Sequence, residues 1–262
     1  MNRVIAAAGA VLTALAPATV AAAAHATTPR IVWQAKICRT DELWRTHDTL
    51  GQQVIIRNNT WGTARVCLQT AGRYSTAWRI TSARGLRRAF IGAFPNEFYG
   101  CSWGKCSAGA ILPRRMSRVR GISVTYATAP GMPAGTANKA LDIWISVHKH
   151  VGGYVRGAEV MVWLDATYTP PYGRLPIVRV GGHLYFFGHH RACGPTMCWN
   201  YILFRRVYPT AAVRNLGLQP FFAYGEARGL IKQDWWLEGV DAGTEIGRIR
   251  RGMTIYQFSV RP

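Results

Sequence analysis

Two carboxylates stand inside runs that read as strands: Glu159 in Ala158-Glu159-Val160-Met161-Val162-Trp163-Leu164, and Glu245 in Gly243-Thr244-Glu245-Ile246-Gly247. The chain has only 12 acidic residues in 262, so two among apolar and small neighbours are conspicuous. Removing an ionised carboxylate from water is costly, so such a group is paired, protonated or used in chemistry. Two carboxyl groups facing each other across a cleft can cut a glycosidic bond, one as acid and the other as nucleophile or base.

Those residues need elements to hold them, and the periodicity is that of strands. Gln52 to Arg57, Ile122 to Ala127, Leu141 to Val147, Glu159 to Asp165, His183 to Phe187, Trp199 to Val207 and Thr254 to Val260 are rich in β-branched and aromatic residues, with Gly and Pro between them. One segment departs. Between Gly217 and Ile231, apolar Leu218, Phe221, Phe222 and Leu230 recur near helical spacing, and Pro220 falls where a first turn tolerates it. Many short strands and one helix predict an all-β sandwich of two sheets.

Side chains alternate along a strand, which assigns the faces. Val160, Val162 and Leu164 read as core, while Glu159, Met161, Trp163 and Asp165 share the other face. Leu141, Ile143, Ile145 and Val147 likewise oppose Asp142, Trp144 and Ser146. A face mixing carboxylates with indoles suits the floor of a sugar-binding cleft, since sugar rings lay their C–H faces on tryptophan. Of the ten tryptophans, more than half are expected in the core.

The N-terminus reads as a secretory signal peptide, residues 1–26. Arg3 is followed by an alanine-rich apolar stretch to about Ala24, then the small-x-small site Ala24-His25-Ala26. Its many alanines and Pro17 favour cleavage over a membrane anchor. Residues 27–262 are then expected to form one exported domain, with no membrane association after cleavage. Six cysteines fit an oxidising destination. Sequence alone does not choose among the possible pairings of six cysteines; the economical one clips Cys101 to Cys106 and Cys193 to Cys198, near neighbours in the chain, and leaves Cys38 and Cys67 as a third link. The rival is a zinc site from His189, His190, Cys193 and Cys198, disfavoured because no second cysteine pair stands at finger spacing. No metal and no cofactor are expected.

The formal charge of +20 comes from 32 basic residues, of which only five are lysine. The arginines are scattered in pairs, such as Arg87-Arg88 and Arg205-Arg206, without a basic helix or a binding motif. The charge therefore reads as a solvated surface able to cling to anionic extracellular polymers, and nucleic acid is not the expected partner.

Several segments together resemble glycoside hydrolase family 12. They are Asn58-Asn59-Thr60-Trp61-Gly62 with Cys67, Phe94-Pro95, and Tyr99-Gly100-Cys101-Ser102-Trp103-Gly104-Lys105-Cys106, the last notably as in actinobacterial members. Asp142-Ile143-Trp144, Glu159-Val160-Met161-Val162-Trp163-Leu164, Pro171-Tyr172-Gly173 and Ala242-Gly243-Thr244-Glu245 follow in the family's order. The resemblance implies a jelly roll of two curved antiparallel sheets with an open cleft on the concave one, and retaining endo-hydrolysis of β-1,4-linked glucan. By position, Glu159 matches the nucleophile, Glu245 the acid/base, and Asp142 the carboxylate that modulates the nucleophile. Asn59, Trp61, Met161, Trp144 and Pro171 match the lining of the substrate cleft. Cys38 with Cys67 and Cys101 with Cys106 match family disulfides, while Cys193 with Cys198 is an addition. Gly247 and Arg248 stand where the family usually has an aromatic.

Other readings are a carbohydrate-binding jelly roll without turnover, and a hydrolase specific for xyloglucan or xylan. The glutamate pair speaks against the first, and the valines and tryptophan after Glu159 against a tyrosine-rich xylanase strand. A monomer acting on polysaccharide outside the cell is the expectation.

Overall fold

Runs of alternating apolar residues fold here mainly as strands packed in two layers. The computed structural model describes residues 31–40, 42–87, 90–149, 156–169, 174–194, 197–250 and 252–262. The expected signal peptide, residues 1–26, and Pro171 lie outside the described residues.

The smaller sheet has six strands in the order Ala35–Ile37, Arg65–Thr70, Trp78–Arg84, Thr254–Arg261, Ser123–Thr128 and Ala212–Gly217. The larger runs Ile177–Val180, His183–Cys193, Cys198–Arg206, Gly157–Ala166, Gly135–Ser146, Trp236–Gly243, Asn96–Ser102, Gln53–Arg57 and Leu43–His47. Three short strands, Lys105–Cys106, Arg114–Arg115 and Ile246–Ile249, attach to it. The architecture is the predicted all-β jelly-roll sandwich.

The expected antiparallel pairing fails at one seam. There Gly157–Ala166 runs parallel to Cys198–Arg206; the other described pairs are antiparallel. Parallel neighbours need a crossover, and the hairpin of Ile177–Val180 with His183–Cys193 supplies it.

Between the sheets, Val160, Val162, Leu164, Leu141, Ile143 and Ile145 pack with Val124, Tyr126, Ile255 and Phe258 of the smaller sheet. Each such aliphatic side chain contributes about 1.5–3 kcal/mol on burial. The tryptophan expectation is corrected. Among the ten, only Trp78, Trp144 and Trp163 are buried, and of these only Trp78 lies in the inter-sheet core. Alternation puts Trp144 and Trp163 on the opposite face of the larger sheet.

The helix is shorter than the apolar pattern, running from Gln219 to Glu226 with Pro220 in its first turn. Phe221 sets its ring edge-on to Tyr185 and Phe204, at 5.3 and 5.1 Å between centroids. Gly229, at φ +70°, allows the Leu230 N–H to bond back to the Gly225 carbonyl and close the helix.

Candidate active site

Pairing lays the outer face of the larger sheet out in rows. Asp142 registers with Asp241 on one side and Met161 on the other. The next row aligns Gly239, Trp144, Glu159 and Tyr201. Asp142 and Trp144, like Glu159 and Met161, are two residues apart on adjacent strands, so all four project to one face. Glu245 follows the Trp236–Gly243 strand, and its backbone N–H donates to Asn138 Oδ1 at 2.8 Å. That bond turns the carboxylate back over the sheet.

A cleft of about 620 Å³ results, lined by Asn59, Trp61, Asp142, Trp144, Glu159, Met161 and Glu245 among others. The structure thus brings together every described residue that the sequence singled out for catalysis or substrate binding. Arg57, Phe94, Trp103 and Lys105 also line it.

Each carboxylate has its own company. The Trp199 indole N–H donates to Glu159 Oε2 at 2.6 Å. Trp144 donates to Asp142 Oδ2 at 3.0 Å, while Asp142 Oδ1 is buried without a donor. Glu245 Oε2 accepts from the Tyr168 hydroxyl at 2.9 Å and from Asn138 Nδ2. Asp241 Oδ2 accepts from Asn96 Nδ2 at 2.6 Å and Ser102 Oγ at 2.8 Å, with the Arg57 guanidinium 3.6 Å away.

Four acids share the site with one buried guanidinium, and burial dominates their titration. It pushes Glu159 up to about 8; the Trp199 bond opposes this, and the charges of Glu245 and Asp241 add to it. Asp241 rises to about 7 through burial, opposed by Arg57, Ser102 and Asn96. Asp142 is lifted well above the usual range by burial, then by Glu159, Asp241 and Glu245. Glu245 is also raised by burial, with Tyr168 and Asn138 pulling the other way. Such a group of acids keeps protons at neutral pH, and those protons belong to the group rather than to single residues.

The three cysteine pairs are Cys38–Cys67, Cys101–Cys106 and Cys193–Cys198, with no described cysteine left free. Cysteines bound to each other cannot ligate zinc, and no group of three or more His, Cys, Asp or Glu fit for a metal occurs among the described residues. Each small clip presents a tryptophan. Trp103 lies within the first and packs edge-on to Trp144 at 5.5 Å; Trp199 follows the second and packs against Trp144 at 6.1 Å. The departure at Gly247 has a steric reason. A Cβ there would come within 2.8 Å of the Arg87 and Phe90 carbonyl oxygens, so no aromatic fits.

Sequence reasoning missed Asp241, Arg57, Asn138, Tyr168 and Trp199. Asp241 is a further carboxylate in a β-like run, Leu237-Glu238-Gly239-Val240-Asp241-Ala242. A bulge hid its face. The register slips between Trp144 and Ile145 opposite Gly239 and Leu237, so Leu237 and Val240 both reach the core although they are three residues apart.

Residues 52–260 match the profile of glycosyl hydrolase family 12. No curated protein matches the chain at the sequence level. Among solved structures, the endoglucanase Cel12A from Rhodothermus marinus is similar, with TM-score 0.76 and 29% identity, over 87% of this chain and 98% of that one. A metagenome-derived family 12 endoglucanase gives TM-score 0.75 and 29% identity over 87% and 96%. A family 12 xyloglucanase from Bacillus licheniformis shares the fold at TM-score 0.74 and 21% identity over 87% and 99%. Because the profile spans nearly all of the described sandwich, and the sheets superpose on these enzymes, the chain belongs to glycosyl hydrolase family 12.

Proposed function

We propose that this glycoside hydrolase is an endo-acting β-1,4-glucanase that retains anomeric configuration, with Glu159 as nucleophile and Glu245 as acid/base. The observation that carries this is the opening of both glutamates onto one tryptophan-lined cleft, each with its hydrogen bonds confined to Oε2 among the described residues. Oε1 of each is then the reacting oxygen. The two endoglucanases at 29% identity support the glucan substrate.

Glu245 Oε1 gives its proton to the glycosidic oxygen as Glu159 Oε1 attacks the anomeric carbon, and the bond to the leaving sugar breaks. Glu245, now a carboxylate, takes a proton from water, which attacks the same carbon and frees Glu159. A retaining pair needs its carboxyls about 5–5.5 Å apart, close enough that one charge disfavours the other. The productive arrangement has the charge on Glu159 and the proton on Glu245. Asp142, raised by burial and by the neighbouring acids, stays neutral, and its donor-free Oδ1 can hold a proton toward Glu159.

Trp61, Trp103 and Trp144 provide stacking surfaces, and Asn59 a polar contact, beside the cut bond. In this reading residues 1–26 are a leader removed on export, residues 27–262 act outside the cell as a monomer, and the disulfides suit that compartment. The reaction uses no cofactor. The test is reducing-sugar release from a panel of soluble β-glucans by the native protein and by Glu159→Gln. Release from unsubstituted β-1,4-glucan, abolished in the variant, is the expected result. Release from xylan alone would overturn the substrate, and an inverted first product would overturn the mechanism.

A further inference from the structure

We infer that Trp199 is a positioning residue: its indole N–H holds the Glu159 carboxylate in its attacking pose, and the Cys193–Cys198 clip fixes Trp199 in place to do so. This rests on the reading of Glu159 as nucleophile.

Among the described residues Trp199 supplies the one donor to Glu159, at 2.6 Å. An N–H aimed at a carboxylate oxygen at that distance is a charge-assisted bond that favours the ionised form. Trp144, the nearer tryptophan by sequence pattern, cannot take this part, because its N–H goes to Asp142. The two indoles divide the two carboxylates between them.

The reach of Trp199 depends on the parallel seam. Glu159 registers with Tyr201, and Ala158 with Asn200, so Trp199 stands beside Gly157. A Cβ there would come within 2.2 Å of the Ile145 carbonyl oxygen. Trp144 backs the indole from one side, its ring 6.1 Å away at 55°.

On the other side the backbone is locked. Ala192 registers with Trp199 and Cys193 with Cys198, and the Gly194 N–H bonds to the Met197 carbonyl at 2.8 Å. Ends of strand pairs open more readily than their middles. The clip therefore stiffens the backbone at the place where Trp199 leaves it. Charge around Glu159 makes a fixed donor useful. Asp142 lies on the neighbouring strand, Asp241 on the one beyond and Glu245 on the turn above. Lys105 lines the cleft, and His190 registers with Tyr201.

The experiment compares kcat/KM against pH on a soluble β-glucan for the native protein, Trp199→Phe, Trp199→His, the Cys193→Ser/Cys198→Ser double variant and Glu159→Gln. Removing the N–H raises the proton affinity of Glu159, so the rise of activity with pH should begin later. For Trp199→Phe the acidic limb is expected to move up by about one pH unit, a tenfold loss below the limb, with KM within about twofold. Trp199→His keeps a ring N–H and should recover part of the shift. The double serine variant should shift the limb in the same direction by less.

A folded Trp199→Phe whose limb stays in place would overturn the positioning role, even with Glu159→Gln inactive. If Trp199→Phe fails to fold, an unmoved limb in a folded Trp199→Leu, which likewise has no ring N–H, would overturn it. An unmoved limb in the serine variant would remove the clip from the proposal. Glu159→Gln activity above about a tenth of native would instead sink the underlying reading of the nucleophile.

Discussion

Glu97 and Asp241 lie on neighbouring strands of the larger sheet but face opposite sides, since Asp241 registers with Phe98 and Glu97 with Ala242. Both are buried and both are raised in pKa by that burial. Asp241 looks toward the cleft and has two hydrogen bonds and a guanidinium. Glu97 looks into the core. Trp78 is near enough to oppose its rise in part, yet neither carboxyl oxygen has a well-formed bond. A raised carboxylate is therefore not by itself a mark of function. What separates the two is the set of donors and the cation.

The comparison breaks first on kinetics. Glu159→Gln should lower kcat on polymer by on the order of 10⁴ or more, because the amide cannot form the glycosyl ester. Glu97→Gln should leave kcat within about twofold, since the core side of the sheet takes no part. Steady-state rates on one soluble glucan measure both, and comparable losses would erase the distinction between the two faces.

Glu245→Ala sharpens the division of roles within the cleft. Turnover of polymer should fall by roughly 10²–10⁴, while the first step on an aryl glycoside with a good leaving group survives. Azide should then restore release of the glycosyl-enzyme as a β-glycosyl azide, identified by NMR. Recovering that product from Glu159→Ala would show the roles to be reversed.

The pH dependence of stability links the two regions. A carboxyl raised in the folded state stabilises fully below its unfolded value, about 4.3 for Glu and about 3.9 for Asp, and that contribution is lost as pH climbs through the folded value. For Glu159 the window runs to about 8 and for Asp241 to about 7, with Glu97 and Asp142 raised in the same direction. Tm should therefore fall from about pH 5 to about pH 8. Glu97→Gln should flatten that fall in part without touching activity, and Tm in a buffer series checks it. A Tm that climbs over this range would contradict the burial of these acids.

The smallest expected effect concerns the disulfides. Cys38–Cys67 closes 29 residues and Cys193–Cys198 only 5. Chain entropy assigns them roughly 3.5 and 2 kcal/mol, so serine replacement of the first pair should lower stability more in denaturant titration. Equal losses would mean that the small clip stabilises through packing of Trp199.

Much of the site was legible in the sequence, because strand alternation is a local property. Glu159 and Met161 facing away from Val160 and Val162 follows from period two alone, and so does Asp142 against Ile143. Buried acids in a chain this poor in them pointed to the same face. The helix around Phe221 and Phe222 was legible for the same reason, though its end waited on Gly229. The tertiary structure decided what depends on pairing between distant segments. Asp241 came to the cleft side of the sheet through a bulge that breaks alternation, Asn138 and Tyr168 reached Glu245 across 107 and 77 residues of chain, and Trp199 reached Glu159 only through a parallel seam. Register, bulges and strand order are set by non-local hydrogen bonds and core packing. No short window of residues contains them.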